Sequence, residues 1–213
     1  MATSPTRSPT SLASRRVRGA GRRRVDDSRR EQLIEQLEEL ILTEGFAHVT
    51  MDGLAAQLQC SKSTLYAVAA GKDRAVQAAL KHFFRQATTR IEERVAPIAD
   101  PAERIAVYLA SVGDEMRRMS RKCHVDMVAD DETFEIWALN ALASAQRVRE
   151  FIGEGVEAGV FRGVHAAFVG ETVSLLVDAI QHGELLERTG LSSGEAYTEL
   201  SELVLATLTN PPR

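Results

Sequence analysis

Thr50-Met51-Asp52-Gly53-Leu54-Ala55-Ala56-Gln57-Leu58-Gln59-Cys60-Ser61-Lys62-Ser63-Thr64-Leu65-Tyr66 holds two helix starts a short distance apart. Thr50 and Ser61 are both suited to an N-cap, where a side-chain oxygen accepts a backbone N–H that the first turn cannot pair. Leu54, Ala55 and Leu58 form the inner face of the first short helix, and Leu65 that of the second. The turn Leu58-Gln59-Cys60 is too short to let the two helices lie antiparallel, so they cross and the second projects outward. Its first turn carries small hydroxyls (Ser61, Ser63, Thr64) and one cation, Lys62. Such side chains fit a major groove and hydrogen-bond phosphates or base edges. The free N–H groups and the positive dipole end of that helix favour phosphate as well.

Upstream, Leu33, Ile34, Leu37, Leu40 and Ile41 recur at helical spacing from Asp27 onward. Glu31, Glu35, Glu38 and Glu39 fill the other faces, and Gly45 ends this helix. Downstream, Gly71 precedes a long helix from Lys72 to about Ala96, stopped by Pro97. Three helices joined in this way predict a helix-turn-helix. Residues 1–24 are Ser-, Thr-, Pro-, Gly- and Arg-rich and read as a flexible arm. A transit peptide shares that composition, but Pro5, Pro9, Gly19 and Gly21 leave no amphipathic stripe.

Charge separates the two ends. Residues 1–30 carry nine arginines against two aspartates, a net +7, while residues 81–213 carry 14 basic against 21 acidic groups, a net −7. A basic end on an acidic body points to a polyanion bound on one side only, nucleic acid first. Arg22, Arg23 and Arg24 stand beside the helix-turn-helix and would follow the minor groove or the DNA backbone. The same run also fits a solubilising tail.

The remainder is helical throughout. Asp100-Pro101-Ala102-Glu103 joins an Asp cap, a first-position proline and a Glu three residues after the cap, and Ser192 with Glu195 repeats the capping box. The pattern predicts helices at about 101–119, 122–129, 132–157, 166–188 and 192–209. An all-α chain is expected: an arm (1–26), a helix-turn-helix domain (27–75) and a larger helical domain (76–213). No run of 18 apolar residues and no apolar leader occurs, so neither a membrane span nor a secretory signal is expected. Two cysteines, Cys60 and Cys123, without metal-ligand spacing suit a reducing, cytoplasmic setting.

The stretch Gly45-Phe46, Thr50, Leu54-Ala55, Ser61-Lys62, Thr64-Leu65-Tyr66 and Lys72-Asp73 resembles the TetR family of bacterial regulators. The resemblance is specific over about residues 28–80. Beyond them it rests on helix count and on Glu157-Ala158-Gly159-Val160-Phe161-Arg162, which looks like the family's link into its dimerisation helices. It implies a homodimeric regulator of operator DNA, with Thr50, Ser61, Lys62, Thr64, Tyr66 and Lys72 at positions that commonly touch DNA. Two departures stand out: Gln59 replaces the customary turn glycine, and Ala67-Val68-Ala69 replaces an aromatic or His-Phe pair.

The resemblance also implies a pocket for a small apolar effector, near Met116, Met119, Met127, Phe134 and Trp137, with Cys123, His124 and Asn140 as polar contacts. Met and aromatic residues at this spacing are more often plain core. The helices at 166–188 and 192–209 carry Leu175, Leu176 and Ala179, and Leu200, Leu203 and Val204, expected to pair across a two-fold axis. A carrier whose arm binds nucleic acid non-specifically, and an enzyme on a helical bundle, are the competing readings. Against the enzyme, Asp130, Asp131, Glu132 and Glu135 cluster at a helix start with no catalytic partner. The five histidines share no i, i+4 pair for a metal, and no cofactor motif is present.

Overall fold

The computed structural model describes residues 13–208, with side-chain surroundings from residue 28 onward except at Ala166 and Gln181. Ten helices and no strand occur among them: α1 Ala13–Glu44, α2 Met51–Gln57, α3 Lys62–Val68, α4 Lys72–Val95, α5 Pro101–Arg117, α6 Arg121–Val128, α7 Asp131–Glu157, α8 Ala166–Gln181, α9 Glu184–Thr189 and α10 Ser193–Leu208.

The caps read from sequence are made as expected. Thr50 Oγ1 accepts from Gly53 N (3.1 Å), Ser61 Oγ from Thr64 N (3.1 Å) and Asp100 Oδ1 from Glu103 N (2.8 Å). Glu195 Oε2 accepts from Ser192 N at 2.8 Å while Ser192 Oγ accepts from Glu195 N at 3.3 Å, a reciprocal box. α1 closes on Gly45, whose φ of +75° needs a glycine. A Cβ there would also lie 2.5 Å from Asp126 Oδ2.

Two boundaries differ from expectation. α1 starts at Ala13 instead of Asp27, so residues 13–26 of the expected arm continue its helix; Arg and Ala are strong helix formers and outweigh Gly19 and Gly21. The helix expected at 166–188 is two helices. Gly183, left-handed at φ +79°, ends α8 and starts α9.

Leu33, Leu37 and Ile41 of α1 meet Leu54 and Ala55 of α2 and Leu65 of α3 in one buried cluster. α4 continues that core into the larger helical body through Leu80, Phe83, Phe84 and Ile91. One helix thus belongs to both parts, and their packing is continuous. Glu38, expected on the outer face of α1, is buried. Its carboxylate takes His82 Nδ1 at 2.6 Å and Arg118 Nη2 at 2.9 Å. Arg118 also reaches Glu115 Oε2 (3.1 Å), to which Arg90 Nη2 donates at 2.6 Å. Burial pushes the Glu115 carboxyl up, but hydrogen bonds from the two guanidiniums hold it below its ordinary range. This chain of charges ties α1, α4 and the end of α5 together.

Candidate nucleic-acid interface and ligand cleft

α2 and α3 are joined by a turn in which Gln59 takes φ +49°, the sole non-glycine in the left-handed region among the described residues. Cys60 N donates to Ala55 O (3.0 Å) and Gln59 N to Ala56 O (3.2 Å), a Schellman closure that directs the chain away from α2. Leu65 is fully buried and fixes the inner side of α3, so the outer side is set. Ser61, Lys62, Ser63 and Tyr66 all face solvent, Tyr66 with 52% of its surface exposed. Thr64 is half-buried, its hydroxyl 2.7 Å from Ser61 Oγ, which also lies 2.8 Å from Ser63 Oγ.

Lys62 Nζ rests on Asp52 Oδ1 at 2.5 Å, with both side chains more than 60% exposed. An exposed pair of that kind contributes about 0–1 kcal/mol, so a phosphate can replace the aspartate at little cost. Lys72 Nζ donates to Ala47 O (3.0 Å), and Thr50 is committed to its cap. Seven expected contact residues therefore lie around one exposed helix and its approach. The side chains of Arg22, Arg23 and Arg24 lie outside the described residues.

The expected effector residues are not brought together. Met116, Trp137 and Asn140 border a small void of about 50 Å³ between α4, α5, α7 and α10. Asn140 Nδ2 is satisfied there by Ile136 O at 2.6 Å. Cys123 and Met127 are fully buried core, and burial pushes the Cys123 thiol up to about 12. Phe134 packs on the His182 ring at 5.2 Å. Of the expected residues, Met119 and His124 line a cleft of about 710 Å³, framed by α6, the α8–α9 break, α9 and the start of α10.

That cleft joins His124, expected as a polar contact, to Ser193, which was not expected. His124, on α6, is buried with its ring edge-on to Trp137 at 4.4 Å and its Nδ1 without a hydrogen-bond partner. Burial, helped by the Arg121 charge, lowers its pKa to about 4, so the ring is neutral near pH 7. Ser193 Oγ is the other buried side-chain polar atom without a partner among the described residues, and Ser193 lines the same cleft. No spacing signal marks Ser193, because the break at Gly183 is what brings α9 and α10 to α6. Among the described residues no cluster of His, Cys, Asp and Glu could hold a metal ion, and no helix is long and apolar enough to cross a membrane.

α6 also touches the helix-turn-helix. Asp126 Oδ2 accepts from Phe46 N (2.5 Å) and Ala47 N (2.8 Å) in the turn between α1 and α2. Ser120 N, at the cap of α6, donates to Leu42 O at 2.8 Å.

No protein-family model matches the sequence, and no curated protein does. Solved structures match over most of the chain. A TetR transcription regulator from Haloarcula marismortui superposes with a TM-score of 0.68 at 17% identity, covering 86% of this chain and all of that one. A candidate transcriptional regulator from Saccharomonospora viridis, in complex with choline, gives 0.68 at 19% identity, over 87% of this chain and 100% of that chain. A TetR/AcrR-family regulator from Thermobifida fusca gives 0.60 at 19%, over 84% and 97%. This is the TetR-family fold.

Within the TetR-family fold, the expected pairing surface divides in two. Leu200 and Val204 are buried in their own chain, each about 4% exposed, so they are not free to meet a second copy. The cause is how closely α10 lies on α5: a Cβ at Gly113 would sit 3.2 Å from Gly194 O. Leu175 (64% exposed) and Leu203 (56%) remain outside with Phe168 (72%), while Leu176 and Ala179 are half-buried. The other TetR departure is also accounted for. Ala69 is buried, and Arg30 Nη2 lies 3.5 Å from Val68 O, so the end of α3 is held by α1 without the aromatic pair.

Proposed function

We propose that the chain is a DNA-binding transcriptional regulator, a ligand-responsive repressor that acts in the cytoplasm as a homodimer on a palindromic operator. The observation that carries this is the exposed hydroxyl, lysine and tyrosine face of α3, held rigidly outward by Leu65 in a TetR-type helix-turn-helix. Ser61, Lys62, Ser63 and Thr64 would enter the major groove; Thr50, Tyr66 and Lys72 would seat the phosphates. Arg22, Arg23 and Arg24 would add attraction beside them. Residues 27–75 act as the DNA-binding domain and 76–213 as the domain for effector and dimer.

The dimer would use Leu175, Leu203, Phe168 and the exposed parts of Leu176 and Ala179. Two recognition helices then meet half-sites one helical turn apart, about 34–36 Å. An effector would release DNA by favouring a conformation in which that spacing is lost. Each tenfold loss of operator affinity needs about 1.4 kcal/mol of unequal binding to the two states.

Selection of genomic fragments by the purified protein, followed by mobility shift with excess competitor DNA, tests the reading. Retention of a palindrome-containing fragment supports it. Equal retention of every fragment would make the chain a non-specific binder and refute it.

A further inference from the structure

Two buried polar atoms stand out because each forgoes a hydrogen bond. A buried polar group left unsatisfied destabilises by roughly 1–3 kcal/mol, so such groups are few in folded proteins. His124 Nδ1 and Ser193 Oγ come from helices far apart in sequence, yet both residues line the 710 Å³ cleft. Drug-sized ligands occupy sites of about 300–1,000 Å³ lined by apolar groups with a few convergent polar ones. The cleft has that composition: Met119, Val125, Val128, Leu186 and Leu191 supply apolar wall, and His124 Nε2 faces its side at Gly183.

We propose that this cleft is a binding site for a neutral, largely apolar molecule carrying one hydroxyl or carbonyl oxygen, which hydrogen-bonds to His124 and Ser193. The small void beside Trp137 and Asn140 holds too little space for such a molecule. The proposal deepens the ligand-responsive reading and rests on it for its regulatory meaning, though not for binding itself.

Charge selects the class. Arg121, Glu187 and Glu195 are the cleft's full charges and all are exposed, while the buried anchors are neutral. Glu195 is already engaged by Ser192 N and Oγ at 2.8 and 2.7 Å. Two acids against one base give an anionic headgroup no net attraction. A cation finds a neutral imidazole beside Arg121, and among the described residues lining the cleft no acidic group is buried. An imidazole and a hydroxyl can each donate or accept, which suits an alcohol or ketone oxygen.

The test uses the full chain and four ten-carbon probes: 1-decanol, 2-decanone, decanoate and decyltrimethylammonium. Binding is read by calorimetry and by emission of Trp137, the sole tryptophan, through its contact with His124. The two neutral probes are expected to bind one per chain, shift the emission, and lose about tenfold in affinity with His124→Phe and with Ser193→Ala. His124→Phe keeps the ring's volume and removes the unsatisfied nitrogen, so the unliganded variant should melt at a higher temperature than the parent. No saturable binding of either neutral probe would overturn the proposal. So would equal affinity in both variants, or tighter binding of decanoate or decyltrimethylammonium that depends on His124. Operator retention is scored separately: specific DNA binding without probe binding refutes this proposal alone, and probe binding without specific DNA binding refutes the regulator alone.

Discussion

Replacing Gln59 by glycine should stabilise the protein. The residue occupies the left-handed position of a Schellman closure, at φ +49°, where an L side chain costs roughly 1–2 kcal/mol relative to its right-handed conformation. Its side chain is exposed and makes no hydrogen bond among the described residues, so little in the folded state is lost with it. Glycine gives back about 0.5–1 kcal/mol through the greater freedom of the unfolded chain. The balance favours Gln59→Gly by about 0.5–1 kcal/mol, a rise of roughly 1–4 °C in Tm for a chain of this size. A second Schellman closure in the molecule supplies the reverse experiment. After α7, Gly159 at φ +70° donates to Val156 O (3.0 Å) and Val160 N to Gly155 O (3.0 Å), and a Cβ on Gly159 would meet nothing within 4 Å. Gly159→Gln should therefore destabilise by a similar amount without any steric clash. Paired thermal and urea melts of the two variants measure both effects. A Gln59→Gly protein less stable than its parent, or a Gly159→Gln protein of unchanged stability, would refute the reasoning.

Leu175→Glu with Leu203→Glu should convert a dimer of about twice 23.4 kDa into monomers that fold but no longer retain operator, because both leucines are exposed in the single chain; sedimentation and mobility shift check this, and a persistent dimer refutes it. Deleting residues 1–24 should lower the slope of log affinity against log salt by roughly 5–7 for a dimer, if three or four arginines per chain engage phosphate, and an unchanged slope would reduce the arm to a tail. Asp126→Ala removes the acceptor for Phe46 N and Ala47 N and should destabilise by about 1–3 kcal/mol in urea melts; a neutral result would mean the turn is held by α1 alone.

What could be read from the residues follows the range of the interactions involved. Caps at Thr50, Ser61, Asp100 and Ser192 span three residues, and the helical period repeats within a turn, so the α-helical order and the helix-turn-helix were legible. Glu38 was not: its partners His82 and Arg118 lie 44 and 80 residues away, and on α1 alone it looks like another outward glutamate. Periodicity identifies an apolar face without saying which neighbour covers it. Leu200 and Val204 share a stripe whose cover is α5 of the same chain, while Leu203, one residue earlier than Val204, stays outside. The cleft between α6, α9 and α10 depends on one backbone angle at Gly183, which a glycine in a helical run permits but does not announce.

The arrangement of α6 gives the regulator reading its mechanical content. His124 and Asp126 are two residues apart, about 200° around a helix of 3.6 residues per turn, so they point to opposite sides. One side meets the cleft and Trp137, and the other holds the turn between α1 and α2. The N-terminus of α6 is pinned to α1 as well, through Ser120 N on Leu42 O and through Arg118 on the buried Glu38. A helix of eight residues fastened at these points cannot yield to an occupant on one side without carrying its other side along. Displacement at His124 would therefore be delivered to Phe46 and Ala47, where Lys72 also attaches at Ala47 O, and from there to α2 and α3. The same bonds that position α3 are those through which a ligand would move it.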